Sequence, residues 1–580
     1  MFEKGQEYKV RIEDISDQGQ GIGHIDGFTV FVNGALPGDL VMAELTKVKK
    51  RFALARMTEL VEASPGRTEP ACEYSGECGG CAFMEYQYAA QVELKRKQVR
   101  DKLIRLGGLE EPLVHETIGM DEPWRYRNKA VLQVDVDGSI GFFRPRSKDV
   151  VDCADCLIQM MSIAAAAAAL REFLNTGGLK KGEKIKSMTV RTAPGTGEVM
   201  VSIDTKQLYD IERLVQLLDD EIYEAGYSLE SIYIDDGGKK PELIAGKQTI
   251  DEELSGIRFE ISPRSFYQVN PVMMEKLYDI AAEYADVKEG ETVLDLYCGA
   301  GSIGLWLVKR FREKNNAPIE DEPFVLGIET EPQAILDANR NAVINGIVNA
   351  RYIMGKAEEV LPELVSIGKD REYGKTTDKE ERPAGDGDNT LNDRKYPDSK
   401  YDDDLIDAAN RATTAIIDPP RSGCRPELIE AVVKAAPERI VYVSCDPATL
   451  ARDVKILSEC GYEFVEATPV DMFPHTGHVE TVCLLSQRKP DTTIEVDLDI
   501  SELEVSSAET KATYEEIKSY VLKKFGLKVS NLYIAQIKRE CGIVERTNYN
   551  LPKTEGNRVP QCPEDKRKAI KDAFIHFQMI

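Results

Sequence analysis

The sequence over residues 292–308 constrains the fold of this chain strongly. It predicts a short buried strand at Val293–Leu296, a loop rich in glycine, and a helix. The loop carries Gly299, Gly301 and Gly304, a spacing that lets the backbone approach a nucleotide-like ligand closely. Further strands and helices follow in alternation, through FVLGIE and EPQAILDANRNAVINGI to AIIDPPRSG. This alternation predicts an α/β fold with a doubly wound, Rossmann-like sheet.

Carboxylates near the glycine loop indicate which ligand it holds. The second strand ends in Glu329, whose carboxylate can accept hydrogen bonds from ribose hydroxyls. An enzyme that uses NAD or FAD would place the same parts similarly. Asp295 at the end of the first strand, with Tyr297 and Cys298 inside the loop, suits S-adenosylmethionine better.

The stretch IVYVSCDPATLARD places Cys445 where a buried strand turns into a helix. Asp446 is the expected helix cap, and Pro447 lies near the first helical position. A thiol at this turn faces unpaired backbone N–H groups and the positive end of the helix dipole, which favour the nucleophilic thiolate. Taken alone, a buried core cysteine is the commoner explanation. The role of Cys445 therefore depends on its neighbours.

Length and composition predict a multidomain globular protein. The 580 residues suffice for roughly three or four domains. The longest apolar runs are too short to span a bilayer, and the N-terminus MFEKGQEYKV lacks the apolar segment of a secretory signal. We therefore expect a cytoplasmic protein without a membrane partner, whose twelve cysteines do not form a disulfide framework. Their uneven clustering points to metal binding and catalysis, and Cys298, Cys424, Cys460 and Cys483 are expected to be structural.

The formal net charge of −26 argues at first sight against a nucleic-acid partner. The charge is unevenly spread, however, and the acidic residues concentrate at 386–404 and 491–509. Basic clusters occur at 95–105 (KRKQVRDKLIR), 124–129 (WRYRNK) and 144–148 (RPRSK). One such cluster is typical of a solvated surface, but three within about fifty residues favour RNA binding.

Four regions follow one another along the chain. Residues 1–60 alternate apolar and polar positions with glycines at turns, which predicts a small β-barrel. Residues 61–250 predict an α+β middle domain, with a helix over 83–106 and hairpins turning at Asp137-Gly138 and near Gly195. Residues 251–490 carry the doubly wound sheet, with a polar insertion over about 367–405 that we expect to be flexible. Residues 491–580 predict a helical extension, to which we assign no chemistry.

Five cysteines in the middle domain form a candidate metal site. They are Cys72, Cys78, Cys81, Cys153 and Cys156. The first three lie within ten residues of one another, and one of the last two would supply a fourth thiolate. Four thiolates suit either a structural Zn²⁺ or a [4Fe–4S] cluster, and the spacing alone does not decide between them.

Several motifs, in this order, resemble those of the RNA uracil-5-methyltransferase family. The N-terminal stretch GQGIGHIDGFTVFVNGALPGD is similar to the OB-like TRAM domain, an RNA-binding module. The other motifs are Cys-x5-Cys-Gly-Gly-Cys, SFYQVNP, DLYCGAGSIG, DPPRSG, SCDPATLARD and FPHTGHVETV. The resemblance covers residues 1–490 and implies transfer of a methyl group from S-adenosylmethionine to carbon 5 of a uridine in RNA.

The resemblance implies a role for each matching residue. Cys445 would add to carbon 6 of the uracil, and Glu480 would be the base, in preference to His475 or His478. Phe266 would stack on the target base after it has been turned out of the RNA fold. The implied cofactor-binding residues are Gln268, Tyr297, Ser302, Glu329 and Asp418.

The same resemblance implies that the metal centre is a [4Fe–4S] cluster. Its ligands would be Cys72, Cys78, Cys81 and Cys156. Cys156 is chosen over Cys153 because the fourth ligand of the family precedes a Leu/Ile pair, as Cys156 does here.

The expected partner is RNA, and the expected oligomeric state is a monomer. Large-subunit (23S) ribosomal RNA is the first choice of substrate, because TRAM-like and cysteine-rich domains go with the ribosomal branch, and transfer RNA is the second. A cytosine-5-methyltransferase would carry its nucleophile in a Pro-Cys setting, which SCDP is not. A non-catalytic iron–sulfur RNA-binding factor would lack the thiol or the base, and this sequence has both.

Overall fold

The computed structural model describes residues 2–380 (except 17 and 239) and 401–488, together with 514–529, 533–534, 537–538, 541 and 562–577. The chain divides into two compact units, Met1–Lys489 and Pro490–Ile580. The first unit contains a barrel and two large sheets. The second unit is described separately below.

The first sixty residues form the predicted barrel. Its strands are β1 (Glu7–Ile15), β2 (Gln20–Ile25), β3 (Phe28–Asn33), β4 (Leu40–Val48) and β5 (Phe52–Glu62), closed in the order β1-β2-β3-β5-β4. Alternate side chains such as Val30 and Val32 point inward and are buried, as the period of two along a strand requires. The prediction of an N-terminal β-barrel is confirmed.

The middle of the chain forms a second sheet. The strands are β6 (Lys129–Val134), β7 (Ile140–Phe143), β8 (Val150–Asp152), β9 (Ser187–Ala193), β10 (Glu198–Asp204), β11 (Ser228–Ile234) and β12 (Glu242–Gly246), in the order β12-β11-β10-β9-β6-β7-β8. Both predicted hairpins are present, as β6–β7 and β9–β10. Helices α2 (Met161–Asn175) and α3 (Ile211–Glu224) bury their apolar faces with residues of this sheet.

One helix of the middle region packs elsewhere. Helix α1 runs from Tyr88–Arg105, so it begins later than the predicted residue 83. Val99 and Leu103 on its apolar face are buried in the same core as Leu450 and Tyr442 of the doubly wound sheet region. The helix therefore packs against the region that carries Cys445, including α10.

The third region forms the predicted doubly wound sheet, preceded by the hairpin β13 (Ile250–Leu254) and β14 (Ile257–Ile261). Its strands are β15 (Thr292–Leu296), β16 (Phe324–Glu329), β17 (Ala350–Met354), β18 (Thr414–Ile417), β19 (Arg439–Ser444), β20 (Tyr462–Val470) and β21 (Glu480–Gln487). Its helices are α4 (Pro271–Ala285), α5 (Ser302–Asn315), α6 (Pro332–Ile344), α7 (Ala357–Glu380), α8 (Asp403–Arg411), α9 (Pro426–Ala435) and α10 (Pro447–Glu459).

The strand order is β17-β16-β15-β18-β19-β21-β20. Strands β15 to β19 are parallel, whereas β21 is antiparallel to both of its neighbours. The order reverses direction between β15 and β18, which is the place where ligands bind in sheets of this kind. Because the parallel strands share a carboxyl edge, the loops after β15, β16, β18 and β19 all open onto that edge.

The predicted flexible insertion differs from the structure in its first part. Helix α7 continues to Glu380, so residues 367–380 are helical. Its charged residues are good helix formers, and low hydrophobicity alone does not exclude a helix. Residues 381–400 of that prediction lie outside the described residues, and its last residues, 403–405, begin helix α8.

The C-terminal unit has its own apolar core. Helices α11 (Tyr514–Phe525) and α12 (Glu564–His576) bury Ile517, Val521, Ala573 and Phe574 together. In neither unit does a helix of the described residues have the length and apolarity needed to cross a membrane.

Candidate active site

A cavity of about 820 Å³ opens at the carboxyl edge of the doubly wound sheet. We call it the sheet-edge cavity. Most of the catalytic and cofactor-binding residues suggested by the sequence line it, namely Phe266, Gln268, Tyr297, Glu329, Asp418, Cys445, His478 and Glu480. These residues come from six different loops or strand ends. The structure therefore brings together side chains that are up to two hundred residues apart in sequence.

Cys445 lies in the turn between β19 and α10. Asp446 caps the helix, and its Oδ1 accepts hydrogen bonds from the backbone N–H of Ala448 at 2.8 Å and of Thr449 at 3.1 Å. Pro447 is the first helical residue. Both features match the sequence expectation for this turn.

The electrostatics of the Cys445 thiol differ from the sequence expectation. Burial raises its pKa to about 11, with further contributions from the negative charges of Glu480 and Asp418. The expected stabilisation of the thiolate by the start of the helix is small, because the cap carboxylate of Asp446 already takes the first N–H groups. A pKa this far above neutrality favours the protonated thiol in the resting site, and a ligand or a base that changes these surroundings would favour loss of the proton.

Glu480, the first residue of β21, is the second reactive candidate. Only 6% of it is exposed, and its burial, with the charge of Asp418, raises its pKa to about 8. A carboxylate with a pKa near neutrality is suited to accept a proton, because it is available as a base yet binds the proton firmly.

Arg421 belongs to the DPPRSG motif, and the sequence analysis assigned it no role. It lines the sheet-edge cavity together with Cys445 and Glu480, and its positive charge lowers the pKa of both. The sequence signal for Arg421 was its position directly after two prolines at a strand end. The prolines make that turn rigid and so fix the backbone position of the arginine.

The glycine loop follows β15 closely. Asp295 Oδ2 accepts a hydrogen bond from the N–H of Gly304 at 3.0 Å, and Glu329 Oε2 accepts one from the N–H of Gly299 at 3.1 Å. Gly301 has a φ of 76°, and a Cβ there would meet the hydroxyl of Tyr352 at 2.6 Å. The loop thus has room for glycine alone at this position.

Three carboxylates concentrate negative charge beside the glycine loop. Burial raises the pKa of Asp295 and of Asp418 to about 7, and the charge of Glu329 contributes to both shifts. A cationic ligand would relieve this repulsion. The sulfonium and ammonium groups of S-adenosylmethionine are of that kind.

Ser302 does not line the sheet-edge cavity. It is the first residue of α5, and its hydroxyl is hydrogen-bonded to that of Tyr278 at 2.8 Å. Of the predicted cofactor-binding residues it is the one that the geometry does not bring to the cavity.

The loop between β20 and β21 is held by α1. The Lys95 ammonium donates to Asp471 Oδ1 at 2.5 Å and to the Phe473 carbonyl at 3.1 Å, and Lys95 and Asp471 are both fully buried. Gln91 Oε1 accepts the backbone N–H of His475 at 2.9 Å. These contacts fix the segment that leads into Glu480.

The same loop separates the two histidines that the sequence offered as bases. His475 is buried and stacks on Trp124 at 4.3 Å between ring centroids, and desolvation lowers its pKa to about 4. It is therefore a neutral structural residue that does not line the sheet-edge cavity. His478 does line that cavity.

We predict that Lys95→Met lowers the free energy of unfolding by about 3–5 kcal/mol, because Asp471 would be left buried without its cation. Urea unfolding followed by intrinsic fluorescence measures this change. The double variant Lys95→Met/Asp471→Leu should recover part of the loss, since it leaves no unpaired charge. If Lys95→Met is as stable as the unsubstituted chain, the buried ion pair does not hold this loop.

A second cavity, of about 750 Å³, reaches Cys445 from the side of the barrel. We call it the barrel-side cavity. Its lining combines barrel residues such as Phe31 with Lys97, Lys102 and Arg105 of α1. Arg421, Cys445 and His478 line both this cavity and the sheet-edge cavity. The thiol is thus accessible from two directions.

The five cysteines of the middle region line a third cavity, of about 430 Å³, which we call the cysteine cavity. Its lining includes Cys72, Cys78, Cys81, Cys153 and Cys156. Cys78 Sγ accepts the backbone N–H of Gly80 at 3.4 Å. As the described residues are arranged, no group of three or more His, Cys, Asp or Glu side chains could hold a metal ion.

Comparison with known proteins agrees with the motifs. Residues 2–58 match the TRAM domain family, and residues 400–488 match the tRNA (Uracil-5-)-methyltransferase family. Uncharacterized RNA methyltransferases of Clostridium acetobutylicum and Listeria innocua are 35% and 36% identical to this chain over 506 residues. The alignments cover 83% and 84% of this chain and 98% and 99% of those relatives.

A solved structure is similar to most of the chain. The Pyrococcus abyssi tRNA (uracil-54, C5)-methyltransferase, in complex with S-adenosyl-L-homocysteine, is 28% identical, with a TM-score of 0.58. The match covers 82% of this chain and 100% of the Pyrococcus abyssi chain.

Proposed function

This chain belongs to the RNA uracil-5-methyltransferase family, and from that membership we propose that it methylates carbon 5 of a uridine in 23S ribosomal RNA by covalent catalysis. It is an S-adenosylmethionine-dependent RNA methyltransferase. The observation that carries the proposed mechanism is that a thiol, Cys445, and a buried carboxylate, Glu480, line one cavity with the glycine-loop residues.

The first step activates the uracil ring, whose carbon 5 is a poor nucleophile. The Cys445 thiol gives up its proton to solvent water, and its sulfur forms a bond to carbon 6. The electron pair of the carbon 5–carbon 6 double bond moves into an enolate with density on carbon 5. Arg421 assists by lowering the pKa of the thiol.

The second step completes the transfer. When bound, S-adenosylmethionine would supply an electrophilic methyl group. Carbon 5 of the enolate would accept that group as its bond to the sulfonium sulfur breaks, leaving S-adenosylhomocysteine. Carbon 5 then carries both the new methyl group and its original proton. Glu480 takes that proton, the double bond forms again, and the bond between carbon 6 and the Cys445 sulfur breaks. The released thiolate takes a proton from solvent, which restores the thiol of the resting site.

Five residues are proposed to bind the cofactor: Gln268, Tyr297, Ser302, Glu329 and Asp418. Four of them line the sheet-edge cavity, and the carboxylates beside the glycine loop suit the positive charge of the cofactor. Ser302 would act from the start of α5, behind the loop. Phe266, which is 65% exposed at the cavity, offers a ring on which the target base could stack.

The dependence of activity on pH tests the role of Arg421. We predict that Arg421→Gln raises the pKa of Cys445 and of Glu480, so that a smaller fraction of each is deprotonated at neutral pH. The value of kcat/KM should fall about tenfold near neutrality, as a change of about one pKa unit implies, and recover partly at alkaline pH. A pH–rate profile measures the shift. Lys434→Gln, an exposed cation of α9, should leave the profile unchanged.

Ribosomal RNA is proposed as the substrate because a TRAM domain and a cysteine cavity occur together in this chain. Transfer RNA is the second candidate, since the similar Pyrococcus abyssi protein is named as a tRNA methyltransferase. Both would enter through the barrel-side cavity, where Lys97, Lys102 and Arg105 face the barrel.

Mapping of 5-methyluridine separates the two substrates. Ribosomal and transfer RNA are isolated from cells with the gene, without it, and with the gene coding for Cys445→Ala. The proposal expects one 23S uridine to lose its methyl group in both of the latter strains. Loss confined to transfer RNA supports the second candidate, and no loss in either RNA contradicts the proposed function.

We further propose that Cys72, Cys78, Cys81 and Cys156 hold a [4Fe–4S] cluster. The supporting observation is that all four cysteines line one cavity. Their thiolates are soft ligands, which iron–sulfur clusters prefer. A cluster is larger than a single ion, and the thiolates would close around it on binding. When bound, it would cross-link distant parts of the middle region.

Iron and sulfide analysis of protein purified without oxygen tests this cluster. The full chain should contain about four irons with visible absorbance, and Cys81→Ser should lose most of both. Cys460→Ser, an exposed cysteine at the end of α10, is the matched control. Zinc in place of iron would contradict the cluster, and comparison of Cys153→Ser with Cys156→Ser identifies the fourth ligand.

A further inference from the structure

Three cations meet at the middle sheet. Lys129 of β6 and Arg191 of β9 are directly opposite each other in the strand pairing. Arg127 lies two residues before Lys129, and its Nε donates to the Lys129 carbonyl at 3.2 Å. The charges of Arg127 and Arg191 both act on Lys129, so the three cations lie near one another. We call these three residues the cation cluster.

No carboxylate of the described residues forms an ion pair with this cluster, although the charge of Asp337 acts on Arg191 from a greater distance. Within the described ranges, none of its three side chains has a carboxylate at ion-pair distance, and two of the cations are largely removed from water. Arg191 is 3% exposed, and its Nε has no hydrogen-bond partner among the described residues. Its Nη2 donates to the Ser265 carbonyl at 2.7 Å. The nearby carboxylate of Asp337 is already engaged by the hydroxyls of Ser262 and Ser265.

Such an arrangement costs free energy unless something compensates it. Unpaired cations in a partly buried site repel one another and are poorly solvated. Burial, together with the charges of Arg191 and Arg127, lowers the pKa of Lys129 to about 8. This occurs in a chain with a net charge of −26, where acidic residues are abundant. An anion that binds here would remove the repulsion.

The position of the cluster identifies the anion. Arg127 also lines the sheet-edge cavity, beside Phe266 and near Cys445. A uridine held in that cavity is joined to RNA by phosphates, which must lie just outside the space that the base occupies. Phosphate oxygens are preferred partners of arginine and lysine side chains.

We propose that Arg127 and Lys129 bind a backbone phosphate adjacent to the target uridine, with Arg191 supplying buried positive charge behind them. This inference rests on the proposed function, because it takes the base to be in the sheet-edge cavity. The phosphate contact would hold the turned-out nucleotide in register with Cys445. It would be independent of sequence, since every nucleotide carries the same phosphate.

Two other anions lie close enough to be distinguished by experiment. One is the carboxylate of the cofactor, and the other is the set of thiolates in the cysteine cavity, which Arg127 also lines. The carboxylate is a poorer match because Lys129 does not line the sheet-edge cavity. The thiolates are a poorer match for the same reason, since Lys129 does not line the cysteine cavity either.

The test compares Lys129→Met with Lys206→Met, an exposed lysine that follows β10. Affinity for a single-stranded RNA oligonucleotide containing one uridine is measured by fluorescence anisotropy over a series of salt concentrations. Lys129→Met should weaken binding about tenfold and reduce the slope of log K against log salt by about 0.7, the loss of one phosphate contact. Lys206→Met should change neither quantity.

Further measurements on the same proteins separate the alternatives. Calorimetry with S-adenosylmethionine should give equal affinities for Lys129→Met and the unsubstituted chain, and iron content should be equal as well. If the salt slope of Lys129→Met is unchanged, the phosphate contact is overturned. It is also overturned if Lys129→Met binds the cofactor more weakly or loses iron while its RNA affinity is unchanged. If the slope falls as expected but no RNA is methylated by the unsubstituted chain, the proposed function fails and the phosphate contact stands.

Discussion

Cys445→Ala is expected to lower the rate of RNA methylation by at least about four orders of magnitude, because Cys445 supplies the only thiol among the described residues that line the sheet-edge cavity. The side chain is only partly exposed at a turn whose helix is capped by Asp446, so its loss should leave the fold intact. Transfer of a radioactive methyl group to RNA measures the rate. RNA and cofactor affinities should change less than about threefold, within the range of a lost partly buried methylene or thiol contact.

The matched control for this prediction is Cys460→Ala. Cys460 lies at the other end of α10 and is exposed, so its substitution makes the same chemical change on the same helix. It should retain full activity. Substantial methylation by Cys445→Ala would refute covalent catalysis through this thiol, whatever the behaviour of the control.

Glu480→Gln is expected to stop the reaction after methyl transfer. The amide cannot accept the proton from carbon 5, so the bond between Cys445 and carbon 6 would persist. Turnover should fall by about two to four orders of magnitude, the usual contribution of a general base. The trapped product should appear as a protein–RNA band that survives denaturing electrophoresis and contains the transferred methyl group.

Glu463→Gln provides the control for Glu480→Gln. Glu463 is an exposed carboxylate on β20, the strand paired with β21. It should turn over normally and accumulate no band. Repeated failure to detect the adduct with Glu480→Gln, together with loss of activity, would assign the proton transfer to another group, of which His478 lines the cavity.

Much of this architecture is predictable from local patterns. In a parallel sheet every strand ends at the same edge, so the residues that follow β15, β16, β18 and β19 must converge there. Tyr297, Glu329, Asp418 and Cys445 each follow or end such a strand, and they do line one cavity. The glycine spacing and the Asp446 cap have equally local causes, which is why both are readable in the sequence.

Other features depend on which distant side chains become neighbours. The sequence indicated a stabilised thiolate at Cys445, whereas burial and the carboxylates of Glu480 and Asp418 hold its proton on. The position of Arg421 after two prolines is a local signal, but no local pattern reveals that its charge acts on the Cys445 thiol. Likewise the helix α1 was readable as amphipathic, but the buried pair of Lys95 and Asp471 joins residues far apart in the chain. Alternation and capping contain no information about such pairs.

The two cavities that share Cys445 have a consequence for kinetics. If RNA arrives through the barrel-side cavity and the cofactor occupies the sheet-edge cavity, neither has to leave before the other can bind. The order of addition would then be random, and S-adenosylhomocysteine would compete with the cofactor but not with RNA. The enzyme could remain on an RNA precursor while it exchanges spent cofactor for fresh, so that a slow encounter with a large substrate need not be repeated.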